Sequence, residues 1–230
     1  LGIDFSYFVQ DKPLGIADAF RVCRDFIENS SVSLILGDNI FYGNMRLSEI
    51  FRNFSKGALI FGYSVQNPKD FGVIEFDSNG SVSKIVEKPK FPKSNYAIPG
   101  LYLYDSKVID YVDNMMPSAR GELEITDLNR IYLDKKDLDI RILGRGISWI
   151  DAGSYDNLIE IGNFIRTIEK RQSFKIGCVE EIALRNKFID IETFNIIVSN
   201  CPDSGYKNYL LQISEDYQRK AIRLNEKYQE

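Results

Sequence analysis

Apolar residues along this chain follow two different periods. Runs such as Val32-Ser33-Leu34-Ile35-Leu36 and Ala58-Leu59-Ile60-Phe61 have the length of strands and end at turn residues. Between them, apolar residues at 16, 20, 23 and 27, with Phe26 beside them, mark one face of an amphipathic helix. The pattern predicts strands over residues 5–9, 32–36, 58–63, 101–104 and 139–143, and a short one through Trp149-Ile150-Asp151. Two alternating arms joined by Asp77-Ser78-Asn79-Gly80 predict a hairpin over residues 73–89, stopped by Pro89. Helices are expected over 47–54, 106–115, 125–135 and 155–171, then near 179–186, 192–199 and 206–230. Such alternation implies an α/β fold with a largely parallel sheet, hairpin insertions and a helical C-terminal section. The expected division is 1–172 for the α/β domain and 173–230 for the helical section.

One stretch, SVSLILGDNIFYGN from Ser31 to Asn44, concentrates the candidate chemistry. Its apolar run breaks at Gly37 and is followed at once by Asp38. A carboxylate just past a strand sits at the edge where open α/β sheets bind ligands. An acid there suits magnesium, which takes one or two carboxylates plus substrate phosphates. Gly-Asp-Asn is equally ordinary turn chemistry, so this stretch alone leaves both readings open.

Composition narrows the choice. At 44% hydrophobic and 27% charged, the 230 residues are those of a globular protein with a sizeable core. A net charge of −4 argues against a nucleic-acid surface. No apolar run approaches bilayer length, so no membrane span is expected. Cys23, Cys178 and Cys201 are widely spaced and odd in number, as for free thiols in a reducing cytoplasm. The chain has no histidine, which removes Ser–His–Asp triads, Cys–His pairs and histidine metal sites. It opens at Leu1 in LGIDFSYFVQ, which reads like the middle of an α/β protein, and it is therefore taken as a fragment.

The remaining candidates are carboxylates, cations and backbone amides. Asp38 and Asp151 each follow an apolar strand and could share one metal across a phosphate. Lys88, at the end of the hairpin, and Arg120, in a polar loop, could hold a substrate phosphate. Glu87 could accept hydrogen bonds from sugar hydroxyls. Each of these residues taken singly also fits a solvated surface charge.

Together with LILGDNIFYG, the words VQDKPLGIADAF, DFGVIEFD, IVEKPKFPKSNYAIPGLYLYD, PSARGELEITDLNRIYL, GRGISWIDAGSYDNLIE and NFIRTIEKRQ resemble the glucose-1-phosphate thymidylyltransferases, in family order as far as about Leu211. LGDN and EKP are shared with related sugar nucleotidylyltransferases, whereas FYG after LGDN and ARGELEITD are closer to the thymidylyltransferase group.

The resemblance implies a Rossmann-like nucleotidyltransferase fold and a reaction of dTTP with glucose 1-phosphate, giving dTDP-glucose for dTDP-rhamnose synthesis, and pyrophosphate. By motif position, Asp38 and Asp151 would hold Mg2+, and Gln10, Pro13 and Gly15 would line the thymine pocket. Gly72, Glu87 and Gly100 would contact the glucose, Lys88 and Arg120 its phosphate, and Trp149 would pack beside the site. Tyr42 and Gly43, with Glu181, Ile182 and Arg185, match a regulatory site for a dTDP-sugar feedback ligand in a homotetramer, although the last three also fit a packing face. The family's G-x-G-T-R loop would lie before Leu1, so the chain alone is expected to be inactive and poorly stable. Two other readings stand beside this one: a non-catalytic nucleotide-sugar-binding subunit, and a related uridylyl- or cytidylyltransferase. The segment from about Glu215 extends past the resemblance and reads as an exposed charged helix or an altered end.

Overall fold

The computed structural model describes residues 1–219, and the expected helix over 206–230 lies partly outside them. The chain divides into two compact units, Phe8–Leu158 and a second made of Leu1–Tyr7 with the residues from Ile159 onward.

The first unit is an α/β layer structure. In chain order it comprises α1 (Asp18–Val22), α2 (Arg24–Ile27), β1 (Val32–Ile35), β2 (Asn39–Tyr42), α3 (Leu47–Asn53), β3 (Ala58–Ser64), β4 (Gly72–Phe76), β5 (Val82–Glu87), β6 (Tyr96–Ala97), β7 (Leu101–Tyr104), α4 (Val108–Asp113), α5 (Ile125–Asp134), β8 (Leu138–Ile142) and β9 (Ser148–Asp151). Helix α6 (Tyr155–Gln172) begins here. Strand β3 is central, and its residues 58–62 are buried on both faces of the sheet. On one face Ile60, Ile74, Tyr102 and Tyr104 pack with Phe20, Leu128 and Tyr132. On the other, Leu59, Phe61, Leu101 and Leu103 pack with Ile50. Period-two alternation along β3 and β7 thus feeds two cores at once.

The expectation of a largely parallel sheet is corrected by the pairing. The seven-stranded sheet runs β1-β7-β3-β6-β4-β5, with β8 beside β3. Among the described residues only β3 with β8 is parallel, and the other pairings are antiparallel. The reason is β7, which enters between β1 and β3 against their common direction. Apolar runs buried on both faces look alike in either orientation, so hydrophobicity alone carries no direction.

Four further differences are local. Residues 5–9 form no strand; their side chains are exposed and lack a ladder partner among the described residues, and apolar alternation needs such a ladder to become a strand. The helix expected from residue 16 is interrupted at Cys23, which leaves helical geometry at φ −97° and ψ 15° and splits it into α1 and α2. The stretch YAIPGLYLYD makes two strands, β6 and β7, because Pro99 breaks the ladder. Strand β2 is four residues long and follows directly on the Gly-Asp turn, so the sequence pattern does not announce it as a strand; it is held by antiparallel pairing with β9. The expected hairpin is present as β4 and β5, with Asp77 accepting the N–H groups of Asn79 and Ser81 at 2.8 and 2.9 Å across its turn.

The second unit is helical, with the remainder of α6 followed by α7 (Val179–Arg185), α8 (Ile191–Asn200) and α9 (Gly205–Gln218). Leu184, Phe194, Val198, Leu210 and Ile213 form its core. Asp190 and Ser204 cap α8 and α9 by accepting N–H groups of Thr193 and Lys207.

Candidate active site

Strand β1 ends at Ile35, and the chain turns through Leu36, Gly37 and Asp38 into β2. The turn is closed by the Asn39 N–H on the Leu36 carbonyl at 3.1 Å. Strand β2 then pairs with β9 so that Asn39 faces Asp151, and the Ala152 N–H donates to the Asp38 carbonyl at 2.8 Å. Two acids more than a hundred residues apart in sequence therefore share one wall of a cavity of ≈ 160 Å³. Burial raises the pKa of Asp151, and the Asp38 charge raises it further; the Gly153 N–H at 2.9 Å and Lys88 pull the other way. Asp151 is thus close enough to feel the Asp38 charge.

The hairpin supplies further lining residues. Gly72 opens β4 across from Glu87, the last residue of β5, and Lys88 follows in left-handed backbone geometry at φ +40°. The Lys88 N–H is tied to the Phe71 carbonyl at 3.0 Å. Glu87 accepts a short hydrogen bond from the buried Thr126 hydroxyl at the start of α5. A Cβ at Gly72 would press on Thr126 Oγ1 at 3.1 Å, so that side chain would have to give way, and it would touch Glu87 Oε2 at 3.4 Å. Gly100, between β6 and β7, is tighter still, because a Cβ would stand 2.7 Å from Leu36 and 2.9 Å from Asn39 Cγ. Trp149 is buried beside the cavity, its ring set edge-on to Tyr63 and Phe71.

Asp38, Asp151, Glu87 and Lys88, with Gly72, Gly100 and Trp149, thus line one cavity. Arg120 does not; it lies in an adjoining cleft that shares Glu87 and Lys88. Its guanidinium is ringed by Glu122 at 3.0 Å, Glu124 at 3.7 Å and Glu87 at 4.0 Å. Gln10 lies in a third cleft, donating to Asp18 at 2.8 Å and to the Gly15 carbonyl at 3.2 Å. Pro13 is exposed, and Gly15, at φ +104°, is pressed against the Leu123 backbone. Tyr42 ends β2 opposite Ser148, and Gly43 packs on the Gly146 carbonyl. In the helical unit, buried Glu181 is held by Arg185 at 2.7 Å and by the Tyr209 hydroxyl, while Ile182 stands exposed and Leu184 is buried.

Two polar residues escaped the sequence reading. Asn39 looks like a turn residue, yet it hydrogen-bonds to Asp38, Gly100 and Trp149. Thr126 looks like a helix-start residue, yet it holds Glu87. Their places inside the LGDN and ELEITD words were the available signal.

Among the described residues no cluster of three or more metal-ligating side chains exists. The pair Asp38 and Asp151 still fits a hard divalent cation, because two carboxylates leave coordination positions for substrate oxygens.

Residues 1–168 match the family model described as nucleotidyl transferase. The chain is 47% identical over 214 residues to the glucose-1-phosphate thymidylyltransferase of Mycolicibacterium smegmatis, covering 92% of this chain and 74% of that protein. It is 45% identical to the Mycobacterium tuberculosis enzyme of the same name, over 94% of this chain and 75% of that one. A crystal structure of a Bacillus anthracis chain assigned to this enzyme class, in complex with sucrose, is 44% identical with a TM-score of 0.65, over 72% of this chain and 66% of that chain. A UDP-glucose pyrophosphorylase bound to UDP-glucose, 22% identical with a TM-score of 0.62, is alike in fold. The chain belongs to the nucleotidyl transferase family and, within it, to the glucose-1-phosphate thymidylyltransferases.

Proposed function

We propose that this protein transfers a thymidylyl group from dTTP to glucose 1-phosphate, giving dTDP-glucose and pyrophosphate. The observation that carries the reading is the meeting of the Asp38–Asp151 pair with Glu87 and Lys88 in one cavity. Two acids, together with a hydroxyl-reading carboxylate beside a cation, suit a sugar phosphate bound in the same cavity. Glu87, its Oε2 engaged by Thr126 and its Oε1 4.0 Å from Arg120, is the acceptor for sugar hydroxyls, and Gly72 and Gly100 line the cavity beside it. Lys88 sits where it can neutralise the sugar's phosphate, and Arg120 joins it by exchanging its ring of glutamates for that phosphate. Gln10, Pro13 and Gly15 form the base-reading segment.

Magnesium held by Asp38 and Asp151 would supply charge neutralisation at the transferred phosphate. A dTDP-sugar feedback site involving Tyr42, Gly43, Glu181, Ile182 and Arg185, assembly as a homotetramer and residence in the cytoplasm complete the reading. They rest on the family resemblance.

A nucleotide panel tests the function. Pyrophosphate release from dTTP, UTP and CTP with glucose 1-phosphate, measured on the full-length protein, is expected to be fastest with dTTP. A higher kcat/KM with UTP or CTP, or no release with any of the three, overturns it.

A further inference from the structure

Asn39 makes hydrogen bonds in two directions. Its Oδ1 accepts from the Gly100 N–H at 2.9 Å and from Trp149 Nε1–H at 2.6 Å. Both partners are donors only, so the amide oxygen has to face them and the amide nitrogen has to face away. On that side Nδ2 donates to Asp38 Oδ1 at 2.7 Å. Turning the carboxamide over would set its NH2 against two N–H groups and its oxygen against a carboxylate. Close packing allows little alternative, since Gly100 approaches so near that a Cβ there would lie 2.9 Å from Asn39 Cγ.

We propose that Asn39 is the positioning residue of the acid pair. Locked by Gly100 and Trp149, its amide holds one oxygen of Asp38 and leaves the other for a cation shared with Asp151. The inference rests on the cation reading of Asp38 and Asp151, and it assigns Asn39 a role exerted through Asp38. Outer-shell partners of this kind set ligand orientation and basicity, and their loss typically weakens metal binding about tenfold or more.

The test is Mn2+ titration of the full-length protein, with free Mn2+ read by electron paramagnetic resonance, for wild type, Asn39→Ala and Asn39→Ser. Serine keeps a small acceptor for the Gly100 N–H but is too short to reach Asp38, so it guards against a misfolded alanine variant. Trp149 is the single tryptophan of these 230 residues, and the emission lost in a Trp149→Phe variant of the full-length protein isolates its signal, which reports independently on loss of the indole partner. Expected are a cooperative thermal transition for Asn39→Ser, a red-shifted Trp149 emission, and Mn2+ affinity lowered about tenfold or more. A folded variant that binds Mn2+ within about twofold of wild type overturns the positioning role alone. Absence of Mn2+ uptake by wild type at millimolar concentrations overturns the cation reading, and this inference with it.

Discussion

Asn39 and Asp151 stand directly opposite each other in the β2–β9 ribbon, and that register sets Asp38 and Asp151 side by side. A slip of one residue would change which side chains share a face and would undo the Asn39–Asp151 pairing. Replacing either acid by its amide keeps the shape and removes the charge. Asp38→Asn and Asp151→Asn are each expected to lower kcat about a hundredfold or more, since charge stabilisation at the reacting phosphate accounts for several kcal/mol. Steady-state kinetics on the full-length variants, with circular dichroism to confirm the fold, measure this. Activity near wild type in either variant would remove that acid from the site.

The raised pKa of Asp151 has a definite sign. Burial is its main cause and Asp38 adds to it, so the folded protein holds the Asp151 proton more tightly than the unfolded chain does. Stability attached to this group is therefore present at low pH and declines as pH rises from the ordinary carboxylate value through the raised one. Thermal midpoints of wild type and Asp151→Asn, measured without divalent cation, should diverge with rising pH in favour of the variant. A gap that stays constant from pH 4 to about pH 7 would contradict the shift.

Asp105 anchors the exit of β7. Its carboxylate accepts from the Gly57 N–H at 2.8 Å, the Tyr132 hydroxyl at 2.9 Å and the Lys107 N–H at 3.2 Å. Asp105→Ala orphans the buried Gly57 N–H and Tyr132 hydroxyl and should cost about 3 kcal/mol, from a desolvation penalty of about 1–3 kcal/mol for each unsatisfied group. Urea denaturation checks it, and a loss below about 1 kcal/mol would mean that water replaces the carboxylate.

In the helical unit, Glu181 is buried and depends on Arg185 and Tyr209. Removing Arg185 leaves a buried charge with one partner. Because Arg185 is itself about one-third exposed, the expected loss for Arg185→Ala is about 2 kcal/mol, below the figure for a fully buried pair. Double substitution Glu181→Gln/Arg185→Ala should recover part of it. If the double variant is no more stable than the single one, the buried charge is not what destabilises.

The sequence told more about the two ends of the site than about how they meet. Asp38 and Asp151 were legible because each follows an apolar run, and Glu87 and Lys88 because Pro89 marks the end of a hairpin arm. Burial along β3 and α5 followed from periodicity. The direction of β7 was not legible, because buried strands are apolar in either orientation. Strand β2 was hidden for a related reason: Asn39-Ile40-Phe41-Tyr42 becomes a strand only by pairing with residues far along the chain. Asn39 and Thr126 were missed because side-chain amides and hydroxyls gain their meaning from neighbours that only folding supplies. Arg120 was legible as a cation but not as one ringed by its own glutamates, two of them only two and four residues away.

The β2–β9 ribbon also has a kinetic consequence. The Trp149–Asn39 hydrogen bond closes a loop of 110 residues, whereas the β4–β5 hairpin closes over a handful. Long loops form contacts late, because the entropy of closing them is lost before the contacts reward it. The acid pair is thus expected to assemble after the hairpin, and because β2 and β9 form a separate two-stranded ribbon outside the seven-stranded sheet, the ribbon is expected to open first on gentle denaturation. Catalytic competence would then disappear at a lower denaturant concentration than the sheet itself, with the ribbon acting as a weak clasp on an otherwise intact frame.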